Sequence, residues 1–193
     1  MKPLSRRTLS CSCGAVKIEL IGSPIMVNIC HCDDCQKGAL RIENLTTGLK
    51  ILDQYGGTPY VLYRKDRVKF IQGQELLDEI RIEGEKDTRR VVTSCCKSPF
   101  FLDFEPGHWF SIFQQRFDNP IPRAQRRIQT RFMARGVNPD DGLPRYKEIF
   151  SYHDLQTAYL PNRNGKNEKD EGMIRPLQRN TMELKHSEIG LDS

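Results

Sequence analysis

A mainly β fold is predicted by three observations on this chain. Short apolar runs alternate with charged residues at period two, turn residues separate them at short spacing, and no strand–helix–strand alternation occurs. Val16, Ile18 and Leu20 alternate with Lys17 and Glu19, as on a half-buried strand. Gly22-Ser23-Pro24 is a turn, and Ile25 to Ile29 is a second apolar strand. After residues 36–59, whose periodicity is weak, further strands are expected at Tyr60–Tyr63, Val68–Ile71, Glu79–Glu83 and Arg90–Thr93. Phe100–Phe104 and Trp109–Phe117 are aromatic strands around a Pro106-Gly107 turn. Residues 1–10 are polar and read as a frayed lead-in.

The character changes after Phe117. Pro122 suits the first turn of a helix. Ile121, Ile128 and Phe132 share one helical face, the arginines 123, 126, 127, 131 and 135 lie mostly elsewhere, and Gly136 suits a C-cap. A second helix is expected from about Arg145 to Leu160. From Pro161 onward polar and charged residues dominate, too few apolar groups to offset the entropy of ordering. The division expected is a β domain over 1–118, a basic helical extension over 119–160 and a polar, mobile tail over 161–193.

The chain has 193 residues, 37% hydrophobic and 28% charged, with a net charge of +5. No stretch approaches the roughly 20 apolar residues of a membrane span. Met1-Lys2-Pro3-Leu4-Ser5-Arg6-Arg7 has charges but no apolar run behind them, unlike a signal peptide. The expectation is a soluble cytoplasmic protein in a reducing setting, where clustered cysteines favour metal or redox roles over disulfides. The modest positive charge suits an anionic partner without requiring one.

All seven cysteines fall into three groups: Cys11 and Cys13; Cys30, Cys32 and Cys35; and Cys95 with Cys96. Thiols at this spacing point to a soft or borderline metal, above all zinc. Seven divides as four plus three, a closed structural site and a site with a free position. His31 lies between two candidate ligands and would point away from the metal on extended backbone, as an outer or surface group. Asp33 and Asp34 read as the polar turn of the knuckle. Gly14 permits the tight turn after the first pair.

The stretch Cys11-Ser12-Cys13-Gly14, the strand after it, Gly22-Ser23-Pro24, Cys30-His31-Cys32-Asp33-Asp34-Cys35-Gln36-Lys37 and Cys96-Lys97-Ser98-Pro99 resemble the glutathione-dependent formaldehyde-activating enzyme family. That family also includes centromere protein V. The resemblance covers about residues 7–115. It implies a β-tent of antiparallel sheets braced by zinc, with carbon–sulfur lyase activity on a glutathione thiohemiacetal or binding of such an adduct. It also implies two zinc ions. Cys11, Cys13 and Cys96 would serve a structural ion, and Cys30, Cys32 and Cys35 a second, catalytic one.

The chain departs from the pattern at the last pair. The family has C-x-x-C-G, whereas here Thr93 takes the first position, Lys97 replaces the glycine and Cys95 adjoins Cys96. Adjacent strand residues face opposite ways, so both reach one ion only through a local turn. Three outcomes are open. Cys95 completes the structural site, or it closes the middle one, or the first site keeps three protein ligands or stays empty. The first is the expectation.

Three thiolates on a divalent ion leave a net charge of about −1 and weaken its acidity, so outer donors must compensate. Lys37 and Arg41 are candidates, and both suit glutathione carboxylates. The leading reading is therefore a zinc-dependent lyase-like protein acting on a glutathione–aldehyde or related thiol adduct. Its rival is a zinc-braced module without catalysis that binds an anionic or protein partner through basic residues 116–135. A thiol redox protein is the third.

Overall fold

The computed structural model describes residues 4–148 apart from 47, 85 and 119. Among the described residues ten strands form two sheets, accompanied by one α-helix. A three-stranded antiparallel sheet runs β1 (Arg6–Ser10), β2 (Lys17–Ile21), β5 (Val68–Gln72). The larger sheet has seven strands. Its order is β10 (Arg126–Ile128), β3 (Met26–Cys30), β4 (Thr58–Arg64), β9 (Trp109–Phe113), β8 (Pro99–Phe104), β7 (Thr88–Thr93) and β6 (Leu77–Ile80). All its pairings are antiparallel except that of β10 with β3. Among the described residues, no helix is long and apolar enough to cross a membrane.

Strand β4 shows why the apolar runs lie where they do. It is buried along Thr58–Tyr63, on both of its faces. Val61 and Tyr63 pack with Leu9, Ile18, Leu20, Val91 and Phe110 in one core cluster. Tyr60 and Leu62, on the opposite face, pack with Cys30, Cys35, Ile42, Val92 and Phe113 in the other. Period-two alternation sends successive side chains to these two clusters. Pro59 is tolerated because β9 pairs only from Tyr60 onward, so the missing N–H falls where no ladder bond is required.

The strands expected at 16–20, 25–29, 60–63, 68–71, 79–83, 90–93, 100–104 and 109–117 are present with shifted ends. Four expectations need correction. The lead-in is strand β1 from Arg6 on, paired residue for residue with β2 and tied by Arg6 Nη1 to Glu19 Oε2 at 2.5 Å. Residues 36–45 belong to helix α1 (Asp33–Leu45). The helix expected from Pro122 to Gly136 does not form. Arg126–Ile128 is instead a strand beside β3, followed by a single 3-10 turn at Thr130–Phe132. The arginine-rich apolar pattern fits a helix locally, but strand geometry lets Arg127 turn inward while Ile128 joins the core. Of the helix expected at 145–160, Arg145 instead forms a bridge to Arg127, and 149–160 lie outside the described residues, as does the tail.

Arg127 is 2% exposed. Its Nη2 lies 2.7 Å from both Asp53 Oδ2 and Asp141 Oδ2, and its Nε donates to Asp141 Oδ2 at 2.9 Å. Its Nη1 donates to His31 Nε2 at 3.0 Å, and the guanidinium stacks 4.7 Å from the Tyr55 ring. One cation thus joins β10, the loop before β4 and the loop after β3. Burial alone would raise the Asp141 carboxyl, but Arg127 outweighs it and holds the group below its ordinary range. Removing one partner of such a network strands the others' charges. Arg127→Ala should destabilise the fold by about 3 kcal/mol in urea unfolding. A loss below a few tenths would show that the network contributes nothing.

Candidate metal centre

The first thiol group is built by two turns. Cys11 closes β1. Gly14 N–H donates to Cys11 O at 3.0 Å, and Gly14 takes the left-handed φ of 79° that reverses the chain into β2. Val16 N–H then donates to Cys11 Sγ at 3.2 Å. The second turn joins β7 to β8. Thr93 N–H donates to Ser98 O and Lys97 N–H to Thr93 O, both at 2.9 Å. This tight turn breaks strand alternation, so the adjacent Cys95 and Cys96 face the same side.

Cys11, Cys13, Cys95 and Cys96 therefore converge, their sulfurs all within 4.8 Å of one another. Separations are 3.4 Å for Cys11–Cys13 and for Cys13–Cys95, 3.8 Å for Cys95–Cys96 and 4.0 Å for Cys11–Cys95. A tetrahedral ion with Zn–S bonds of about 2.3 Å needs edges of about 3.8 Å, which these sulfurs fit. Thr93 Oγ1 and Ser98 Oγ lie 3.3 and 3.2 Å from Cys96 Sγ. Burial raises the Cys96 thiol, but the Ser98 and Thr93 hydroxyls outweigh it and bring it down to about 5.

The second group is Cys30, Cys32 and Cys35, again with all sulfurs within 4.8 Å. Strand β3 delivers Cys30. Cys32 is the N-cap of α1, its sulfur accepting from Cys35 N–H at 3.4 Å, and Cys35 lies in the first helical turn. Asp33 and Asp34 fill that turn, where negative charge suits the helix dipole. Hydrogen bonding from Cys30 and Cys35 pulls the Cys32 thiol down to about 3, while Cys30 is pushed up to about 12, Cys32 foremost, and Cys35 rises as well. Each thiol thus responds to the protonation of its two neighbours. A metal that binds all three as thiolates must displace the remaining protons.

The remaining candidates lie around the second group. His31 is fully buried instead of at the surface. Its Nε2 accepts from Arg127, which turns that nitrogen away from ligation. Lys37 and Arg41 are exposed on the side of α1 away from the buried Cys35, Ala39 and Ile42, and Arg41 donates to Arg81 O at 3.2 Å.

The cation beside the triad is Arg90, fully buried, whose Nη2 donates to Asp34 O at 2.8 Å. It crosses α1 at Gly38, where an added Cβ would lie 2.0 Å from Arg90 Nε. Sequence reasoning missed Arg90 because β7 carries it among other charged residues. Its signals were a glycine inside a helix and an arginine beside the apolar Val91-Val92.

The class defined by these features is a mainly β protein with two cysteine groups, of four and three thiols, each able to hold a metal ion. Residues 6–48 match the family model described as glutathione-dependent formaldehyde-activating enzyme. This bears out the resemblance read from the sequence over the stretch that holds five of the cysteines. Among curated proteins none matches the chain. A solved Rhodobacter sphaeroides protein is similar at 16% identity with a TM-score of 0.42, over 72% of this chain and 99% of that one. That distance carries no functional weight.

Two substitutions test the local geometry. Lys97 sits at a left-handed φ of 53°, the position where the family has glycine. Such a conformation costs a residue with a Cβ about 1 kcal/mol. Lys97→Gly should therefore raise the melting temperature, and an unchanged or lower one would show that the turn is unstrained. Helix propensity favours Gly38→Ala by about 1 kcal/mol. Against the buried Arg90 the same change should instead lower stability, and a higher melting temperature would show that Arg90 moves aside freely.

Proposed function

We propose that this chain is a zinc-dependent, carbon–sulfur lyase-like protein acting on a glutathione–aldehyde thiohemiacetal or a related thiol adduct. One observation carries the reading: Cys95 joins Cys11, Cys13 and Cys96, and the middle group keeps three thiols. Four thiolates close a structural site, whereas three leave a coordination position for substrate. Zinc bound there would polarise a substrate oxygen or accept a substrate thiolate.

Cleavage of a thiohemiacetal breaks its C–S bond. The sulfur leaves with the electron pair as a thiolate, and the hydroxyl gives up its proton as the carbonyl forms. The role of Cys30, Cys32 and Cys35 is to hold the ion against the N-terminus of α1. Arg90 supplies positive charge beside an assembly that three thiolates make anionic. Lys37 and Arg41 remain candidates for the carboxylates of a glutathione conjugate, approached from the exposed side of α1.

The rival reading is a non-catalytic zinc-binding module. It retains Arg123, Arg131 and Arg135 as exposed cations, whereas Arg127 is committed to Asp53 and Asp141.

Elemental analysis of the purified full chain should give two zinc ions, with Cys35→Ser falling to one while the fold persists. Cys32→Ser should abolish turnover of a formaldehyde–glutathione mixture, followed by NMR exchange between free and adduct forms. Two zincs with no effect of the native protein on that exchange would favour the binding module. A single zinc that survives Cys35→Ser would remove the open site altogether.

A further inference from the structure

Tyr60 carries a buried hydroxyl for which the fold supplies no well-formed hydrogen bond. It lies in the middle of β4, paired with Asn28 on one side and Phe113 on the other. The residue is 3% exposed, and its ring packs on Phe113 with centroids 5.1 Å apart, which leaves it little freedom. The hydroxyl makes no hydrogen bond of full geometry, although the Cys35 thiol lies close enough to act on it. A buried donor without a well-formed bond is costly, and a phenylalanine would fill the same space without that cost.

What surrounds it is the middle cysteine group. Cys30 pairs across the ladder with Thr58, so Tyr60, two residues on, is its diagonal neighbour on the same face of the sheet. Tyr60 shares its core cluster with both Cys30 and Cys35. Thr58 Oγ1 donates to Cys35 O at 3.2 Å and pins the start of α1 against the same strand. Burial holds the phenol well above its ordinary range, and among its neighbours Cys35 adds most to that. A phenol keeps its proton at neutral pH and so offers an O–H donor. Thiols with their protons in place are poor acceptors, whereas metal-bound thiolates are good ones.

We propose that Tyr60 is a positioning residue of the middle centre, its hydroxyl donating to the thiolate of Cys35 when the triad holds a metal ion. The hydroxyl would draw electron density from the sulfur, reduce the anionic excess of three thiolates and fix the Cys35 rotamer. Arg90 acts on the same assembly from the helix side, so the triad would be flanked by one cationic and one neutral donor. This inference rests on the proposed metal-binding role of the triad.

The test compares the full-length native chain with Tyr60→Phe and Cys35→Ser, stripped of metal and titrated anaerobically with Co(II). Zinc affinities follow by chelator competition. The signal lost in Cys35→Ser identifies the triad, and the four-thiol site serves as internal reference. Tyr60→Phe should weaken the triad roughly 10- to 100-fold, as loss of an outer donor typically does, and leave the four-thiol site unchanged. Its sulfur-to-cobalt charge-transfer band should move to lower energy, while the metal-free variant melts no lower than the native chain. An unchanged triad affinity and band would overturn the proposal, as would equal weakening of both sites. A native chain with no signal that Cys35→Ser removes would overturn the metal reading of the triad itself, and this inference with it.

Discussion

The turn between β7 and β8 governs how the seven thiols are shared. On a regular strand Cys95 and Cys96 would face opposite ways, one toward each core cluster. The Thr93–Ser98 hydrogen bond and the left-handed Lys97 fold both back to one side, against the knuckle of Cys11 and Cys13. The four-and-three division follows from that reversal. So does the three-thiol character of the middle group, on which the proposed chemistry depends.

Two buried arginines flank the loop that carries the middle group. Arg127 holds His31 and the chain entering β4, and Arg90 lies under α1 at Gly38. Buried guanidinium groups persist only where partners hold them: Arg127 meets two carboxylates and an imidazole nitrogen, and Arg90 Nη2 donates to the Asp34 carbonyl. The loop from Cys30 to Cys35 is therefore held from outside before any ion is considered. That is the condition under which three sulfurs keep a fixed arrangement.

Much of the fold was legible because period-two alternation is a direct consequence of strand geometry. Val16, Ile18 and Leu20 declare a strand wherever they occur. The cysteine grouping was legible too, because C-x-C and C-x-x-C spacings place thiols together by local geometry alone. What escaped depended on tertiary partners. Strand β1 is polar, since Arg6, Thr8 and Ser10 face outward and only Leu9 is buried. Helix α1 announced itself weakly, through Asp33, Asp34 and the spacing of Cys35, Ala39 and Ile42. The helix expected after Pro122 failed because β3 offered an unpaired edge, and pairing with it outweighed local helical pattern. Arg90 and Arg127 resemble any other surface arginine until the carbonyls and carboxylates around them are known.

The parallel contact of β10 with β3 has a consequence for the order in which the chain matures. Its partners, Arg126–Ile128 and Asn28–Cys30, are separated by nearly 100 residues, and the loop between them encloses most of the described residues. Closing so long a loop is entropically expensive and rewarded only once the intervening strands stand in place. During synthesis the outer edge of β3, which ends in the cysteine loop, therefore stays uncovered until most of the described chain has emerged. A bare edge can recruit foreign strands, and three reactive thiols would lie beside it. The last strand of the sheet thus serves as a late guard over the part of the molecule most easily misused while it is being made.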